Sequence, residues 1–384
     1  MSPTGDSVPR VLHLHSTFNA GGKELRAVRL MNAFGRKLNH SLVSGEPDHF
    51  EAAQRIDRAI RVDYPADFPP LKGKPLPGRL LKMAKAMKAY DLVLTYNWGA
   101  MDAVLAHTLF AESMALPPLV HHEDGFNADE MDKLKLTRTW FRRIALGRTA
   151  TLVVPSERLE AIALTDWQQP IGRVTRIPNG IATGEYTKRP RVDAIRGVVK
   201  RKGEFWVGTV AGLREVKNLP RLVRAFAPLP ANWQLVIVGE GPERQAIRDA
   251  ADALGVSHRV HLPGFISDPS IAAGLFDIFA LSSDSEQFPL SVVEAMAAGL
   301  PVASPDVGDV RQIVSAENKR FITPAGSDAD LSQSLFALAE DTGLRKTIGA
   351  ANQARARESF DEKEMIRAYG RLYGRWLGIT GLAV

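Results

Sequence analysis

The 384-residue sequence contains no cysteine. That excludes disulfides and thiolate metal sites and is compatible with a reducing compartment. No apolar run approaches the roughly eighteen residues of a membrane-spanning helix, and the opening MSPTGDSVPR has no apolar signal core. The expectation is a cytoplasmic protein. Several signatures are missing as well: there is no G-x-x-x-x-G-K-[ST], no G-x-S-x-G and no H-E-x-x-H. D-x-D occurs once, at Asp328-Ala329-Asp330 before LSQSLFALAE, where helix capping and dipole complementation account for it. No metal is expected. Gly239-Glu240-Gly241 opens a G-x-G-x-x-G pattern, but Arg244 stands at the third glycine and Pro242 follows Gly241, so it is weak as a dinucleotide fingerprint. Acid is in deficit: 43 Asp and Glu against 49 Lys and Arg leave a net charge of +6. That balance favours anionic partners such as nucleotide phosphates, acidic lipids or nucleic acid.

What is present is an ordinary globular composition, 45% hydrophobic and 24% charged, long enough for two domains of about 150–200 residues each. Residues 10–16 read as a buried strand that runs into FNAGGKE and a helix through Phe34. Gly21 and Gly22 precede Lys23 and Glu24 at that helix start. Paired glycines let a backbone approach a phosphate with a helix N-terminus behind it, although a plain strand-to-helix turn reads the same way. Residues 91–96 form a strand, 101–114 a helix, and 116–120 a strand that delivers HHEDGF at its C-terminal end. In an open α/β sheet, ligands bind at that end. His121 and His122 are neighbours on extended chain and point apart, which argues against joint metal ligation. Glu123 and Asp124 are candidates for acceptor contacts or for orienting an imidazole.

Two stretches are strongly basic: 72–88, with Lys72, Lys74, Arg79, Lys82, Lys85 and Lys88, and a helix over 133–146 with its flank to 148, with Lys133, Lys135, Arg138, Arg142, Arg143 and Arg148. They read as solvated faces or as surfaces drawn to an anionic membrane. Residues 182–203 are polar and charged and read as an interdomain linker. The second half repeats the strand–loop–helix pattern: strand 205–210, AGLREVKN, helix 219–226, strand 234–238, GEGPE, helix 244–254, then a strand over 278–281. Such repeats imply parallel sheets with helices on both faces.

The rest of the chain is organised around residues 284–302, DSEQFPLSVVEAMAAGLPV. Glu286 lies in a polar loop after a strand. Glu294 lies eight residues on, inside an Ala/Met/Val-rich helix closed by Gly299 and Pro301. A helix N-terminus accepts phosphate or hydroxyl oxygens, and a carboxylate within the helix can take two sugar hydroxyls as a bidentate acceptor.

This stretch resembles the E-x7-E signature of retaining glycosyltransferases of family four, which have the GT-B fold. Glu286, Phe288, Pro289, Leu290, Glu294, Ala295, Met296, Ala297, Gly299, Pro301 and Val302 match, and Gln287 replaces a usual glycine. The resemblance extends from about residue 11 to about residue 360, through the Gly21-Gly22 loop, Pro178-Asn179-Gly180 and the Gly239-x-Gly241-Pro242 turn. The family's G-R-L-x-x-x-K-N appears as Ala211-Gly212-Leu213-Arg214-Glu215-Val216-Lys217-Asn218, with the arginine displaced by two positions.

The resemblance implies two Rossmann-like domains of α/β class, 1–185 on the acceptor side and 186–360 on the donor side. A helix over 361–384 returns to the first domain. It implies transfer of a sugar from a nucleotide diphosphate to a glycan or lipid-linked acceptor, with retention and without a metal or other cofactor. Glu294 would hold the donor ribose and Glu286 the sugar hydroxyls. Lys217 and Arg214 would hold the diphosphate, with Gly21 and Gly22 opposite, and His121 or His122 would meet the sugar. Asn218, Gly239, Gly241, Phe288, Pro289, Leu290 and Ser291 would complete the donor site. An anionic membrane surface is an expected partner and nucleic acid is not. Two other readings stay open here: a GT-B-fold nucleotide-sugar epimerase or phosphorylase, and a non-catalytic nucleotide-sugar-binding protein.

Overall fold

A computed structural model describes residues 8–46, 48–126, 130 and 134–382. The chain forms two units, one of residues 1–178 with 365–384 and one of residues 179–364.

The first unit is built on a parallel sheet of seven strands: β1 (Arg10–His15), β2 (Asn39–Ser44), β3 (Val62–Asp63), β4 (Leu92–Tyr96), β5 (Leu119–His122), β6 (Thr151–Val154) and β7 (Val174–Arg176), in the order 3-2-1-4-5-6-7. Its helices are α1 (Gly22–Phe34), α2 (Pro77–Met87), α3 (Met101–Met114), α4 (Leu136–Ala145) and α5 (Glu157–Thr165). Central strands such as β4 and β5 are buried at every position, as a parallel sheet covered on both faces requires. Ser156 caps α5 by accepting from the Leu159 amide, the first-turn donor that would otherwise lack a partner.

Two boundaries differ from expectation. β5 runs two residues beyond Val120, so His121 and His122 lie inside the strand, paired in register with Thr95 and Tyr96 of β4. The basic helix starts at Leu136; Lys133 lies outside the described residues.

The second unit carries a parallel sheet of six strands: β8 (Phe205–Val210), β9 (Trp233–Val238), β10 (Val260–Gly264), β11 (Ile278–Ala280), β12 (Val302–Pro305) and β13 (Ile322–Thr323), in the order 10-9-8-11-12-13. Its helices are α6 (Leu219–Phe226), α7 (Arg244–Ala253), α8 (Pro269–Ala273), α9 (Leu290–Ala297), α10 (Val310–Ile313), α11 (Asp328–Glu340) and α12 (Thr342–Ser359). Residues 182–203 belong to this unit instead of forming a free linker. Tyr186, Ile195 and Val198 are buried in its core. Ser327 caps α11, and Asp328 pairs with Arg221 and Arg224, so the lone D-x-D is spent on helix and ion-pair geometry. The last helix, α13 (Glu362–Leu377), places Tyr369 and Tyr373 in the core of the first unit.

Candidate functional site

The loops after β8, β9, β11 and β12 leave the C-terminal edge of the second unit's sheet. There the Lys217 Nζ donates to Glu286 Oε1 at 2.5 Å, and the Ser283 hydroxyl donates to the same oxygen at 2.7 Å. Asn218, in the left-handed region at φ 40°, begins α6 by accepting from the Arg221 amide. Its side-chain nitrogen donates to Asp284 Oδ2 at 3.0 Å. Arg221 ties the loops together, donating to Asp284 and to the Ser282 carbonyl from one nitrogen and to Asp328 from another. The loop after β11 is thus held by charge and hydrogen bonds from the loop after β8, and Lys217 and Glu286 meet at its surface.

Pro289 is the N-cap of α9 and supplies no side-chain acceptor, leaving the first-turn amides around Leu290 and Ser291 without a side-chain cap. Glu294 lies half-buried one turn further on. Phe288 is half-buried on the core, edge-on to Phe360 at 5.7 Å. Gly308, at φ 57°, packs so closely on the loop that a Cβ would fall 2.6 Å from the Gln287 carbonyl and 2.7 Å from that of Glu286. The Asp309 amide donates to the Gln287 carbonyl. Ser283, Asp284, Arg221 and Gly308 were not singled out by motif reasoning. A glycine three residues past the C-terminal end of β12 was the available signal for Gly308.

The G-x-G turn packs the loops after β8 and β9 against each other. A Cβ on Gly239 (φ 141°) would lie 1.8 Å from the Ala211 carbonyl, and one on Gly241 (φ 156°) 2.3 Å from that of Leu213. The two glycines let the β9 loop stack on the β8 loop, where Leu213 donates to Glu240 and Glu243 donates back to Leu213. Gly212 is exposed, and a Cβ there would meet only the Arg214 Nε, at 3.5 Å. The Arg214 side chain is exposed and folded over the vacant glycine. No carboxylate pairs with it among the described residues. A 650 Å³ cavity in this unit lies at the opposite, N-terminal edge of the sheet, among Lys200, Phe205, Asp277, Pro301 and Arg345, away from these loops.

In the first unit, Gly21 is the N-cap of α1 and Gly22 its first residue. The carboxylate of Glu24 folds back to Gly21, 2.6 Å from where a Gly21 Cβ would stand, and pairs with Lys23. Glu24 thus lies beside Gly21, while Gly22 is exposed.

His121 and His122 are buried, at 0% and 1% exposure. Neither imidazole reaches the surface where a sugar could meet it. His121 Nδ1 bonds the Thr95 hydroxyl at 2.8 Å, and its Nε2 lies 3.6 Å from Glu123. Glu123 is itself buried against Arg142, and Asp124 is engaged in a two-point pair with Arg26. Asp124 is thus committed to Arg26, and Glu123, whose Oε1 has no hydrogen-bond partner among the described residues, is closed to an acceptor by burial. His122 donates from Nδ1 to the Thr95 carbonyl at 3.1 Å, so its Nε2 accepts from the Tyr373 hydroxyl at 2.8 Å. Burial lowers its pKa to about 3; the nearby Arg26 charge adds to this and Asp124 opposes it. Burial alone would raise the Asp124 carboxyl, but the Arg26 charge outweighs it and holds the group below its ordinary value. Tyr96 is sandwiched between His15 at 3.9 Å and His122 at 4.5 Å. Among the described residues no three metal-ligating side chains converge.

Comparison with known proteins places both halves. The family described as "Glycosyl transferases group 1" matches residues 192–355, and "Glycosyltransferase Family 4" matches 20–185. The chain is 32% identical to a 2-deoxystreptamine N-acetyl-D-glucosaminyltransferase of Streptomyces fradiae, over 68% of this chain and 66% of that protein. It is 25% identical to the N-acetyl-alpha-D-glucosaminyl L-malate synthase of Bacillus anthracis, over 43% and 44%. The chain thus spans between about half and two thirds of the length of these curated relatives. Its fold superimposes on Anabaena Alr3699/HepE, solved in complex with UDP, with a TM-score of 0.81 at 21% identity, over 95% of this chain and all of that one. The chain belongs to the family-four type of glycosyltransferases and has the GT-B fold.

Proposed function

We propose that this protein transfers a sugar from a nucleoside-diphosphate sugar to a glycan or lipid-linked acceptor, with retained anomeric configuration and without a metal. The observation that carries the reading is the meeting of Lys217 with Glu286 at the C-terminal sheet edge, directly before the uncapped start of α9. As the bond between the anomeric carbon and the diphosphate oxygen breaks, the leaving group gains negative charge. Fixed cations stabilise that state more than the ground state. Lys217 and Arg214 supply the charge, Glu286 accepts from donor-sugar hydroxyls, and Glu294 accepts from the ribose. The acceptor oxygen bonds the anomeric carbon on the face the diphosphate leaves, and its proton passes to the departing phosphate oxygen. The glucosaminyl relatives and the UDP held by the Anabaena protein make UDP-linked hexoses the first donors to try.

A thermal-shift panel of nucleotides and nucleotide sugars identifies the donor, because a ligand that binds only the native state raises its apparent stability. Turnover with candidate acceptors, followed by the anomeric proton resonance, then reads the stereochemistry. An α-linked donor should give an α-linked product. A β-linked product removes retention. Conversion of donor to another nucleotide sugar without acceptor points to an epimerase, and donor binding without any turnover points to a binding protein.

A further inference from the structure

Helix α4 is turned inside out. In LTRTWFRRIA, positions 136, 140 and 144 recur every four residues and share one face. That face looks outward: Leu136 is 73% exposed, and Trp140 and Ile144 are each 59% exposed. The opposite face buries Thr139, Arg142 and Ala145. Arg142 is fully buried, bonded to Glu123 and Glu130 and packed over Trp98, Phe126 and Trp167 at 4.9–5.5 Å. Rolling the helix to hide its apolar stripe would leave those two buried carboxylates without their cation, so the orientation is locked. Single exposed apolar residues are ordinary, but a helical stripe of three that includes a tryptophan calls for a covering partner.

The rim of the stripe is basic. Lys135 precedes it and is exposed, Arg143 stacks on the Trp140 ring at 4.7 Å, and Arg148 follows. Helix α3 packs between α4 and α2, and α2 with its following residue adds exposed Lys85 and Lys88. Glu112 on α3 is paired with Arg148. A second copy docking through the same face would bring these cations against their own equivalents. An anionic lipid surface meets both the charge and the apolar stripe.

We propose that α4 is a membrane-docking helix lying in the plane of an anionic bilayer surface. Leu136, Trp140 and Ile144 enter the boundary between headgroups and acyl chains, and Lys135, Arg143, Arg148 and the α2 lysines meet lipid phosphates. At about 15 Å long, the helix can lie along the interface without spanning it. The inference stands independently of the transferase reading, because its test measures no turnover.

The test is flotation of the whole protein with neutral vesicles and with vesicles containing about one-third anionic lipid, at low and high salt. The wild type should bind anionic vesicles roughly ten-fold or more better than neutral ones, and less at high salt. The triple variant Leu136→Gln, Trp140→Gln, Ile144→Gln should lose roughly ten-fold in binding, with its melting temperature and nucleotide affinity kept. If that variant does not fold, quenching by bromine-labelled lipids replaces it: quenching of the wild-type fluorescence should fall in Trp140→Phe. Absence of vesicle binding, undiminished binding by the triple variant, or unchanged quenching in Trp140→Phe overturns the proposal. So does a wild-type dimer that the triple variant dissolves while vesicles remain unbound.

Discussion

Lys217 Nζ and Glu286 Oε1 lie 2.5 Å apart although 69 positions separate them in the chain. Each would face a different part of a donor, the phosphates for the cation and the sugar for the carboxylate. Lys217→Ala should therefore weaken binding of the free nucleoside diphosphate and lower turnover, by roughly 10- to 100-fold in each. Glu286→Gln should lower turnover to a similar degree and leave the affinity for free diphosphate within about two-fold. Calorimetric titration with UDP alongside initial rates separates the two. Equal losses of UDP affinity in both variants would make the pair a single phosphate site.

Arg214 folds over Gly212, where a Cβ would meet nothing nearer than its Nε at 3.5 Å. The guanidinium thus lies close to the position from which the family's arginine projects. Arg214→Ala should cost turnover roughly 10- to 100-fold, about 1.5–3 kcal/mol of charge stabilisation. Adding Gly212→Arg should restore part of the loss, because the exposed backbone there has room for a side chain. Full activity in Arg214→Ala would leave the leaving group to Lys217 and backbone amides.

Glu294 lies on α9, half-buried in its second turn. Its proposed partner is the ribose, which is present in the nucleotide whether or not a sugar is attached. Glu294→Ala should weaken UDP and UDP-sugar binding alike, by about 1.5–3 kcal/mol for a lost charge-assisted contact. A variant that loses affinity for the UDP-sugar alone would move Glu294 from the ribose to the sugar.

The E-x7-E segment was legible because its residues are local in sequence. A strand end, a loop and a helix start carry the signal within one stretch. Helices 101–114 and 219–226 were legible to the residue; Met101 to Met114 ends where Ala115 takes up the left-handed conformation, and Asn218 with Pro220 marks the start of the other. The interactions that shape the site are long-range and have no pattern. Arg221 reaches Asp284 and Asp328, and Gly308 stacks under Glu286. His121 and His122 read as polar residues at a strand end, but pairing with Thr95 and Tyr96 carries them into the sheet. Helix α4 shows a more general reason. Periodicity reports which residues share a face and not which face turns inward, and there a buried Arg142 sets the direction.

Acid should destabilise the first unit before the second. His13, His15, His40, His107 and His122 all have lowered pKa values, with burial the largest cause in each; His40 falls to about 4 and His122 to about 3. Between an ordinary value of 6.5 and those folded values, the unfolded chain holds the extra protons. Stability is therefore full above about pH 6.5 and falls as pH drops, by up to about 1.4 kcal/mol per pH unit for each imidazole. The Asp124 carboxyl, held low beside Arg26, adds a further loss at still lower pH. In the second unit the His261 pKa is lowered by burial, with Glu204 opposing, and it is the only such imidazole there among the described residues. Calorimetric scans between about pH 8 and 4.5 should show one transition moving down ahead of the other. A first-unit transition that stays constant through that range would mean that the five imidazoles protonate without cost.

Tyr369 and Tyr373 sit one turn apart on α13, both buried, and only one hydroxyl has a partner. Tyr373 donates to His122 Nε2 at 2.8 Å, whereas the Tyr369 hydroxyl is buried without a hydrogen bond among the described residues. Tyr373→Phe leaves the buried His122 Nε2 unpaired and also removes the hydrogen bond between the Tyr373 and Tyr96 hydroxyls, which together should cost about 1–3 kcal/mol. Tyr369→Phe removes an unpaired polar atom and keeps the ring, over which Arg26 lies at 5.6 Å. Its cost should be near zero, or the protein should gain slightly. Denaturant unfolding of the two variants, with the slope checked for constancy, compares the same chemical change at neighbouring positions of one helix. Equal costs would mean that the Tyr373 hydroxyl, bonded to His122 and Tyr96, contributes nothing to holding α13 on the first unit. Unequal costs in the stated order would assign the Tyr373 hydroxyl, through His122 and Tyr96 together, to fastening the C-terminal helix onto the sheet.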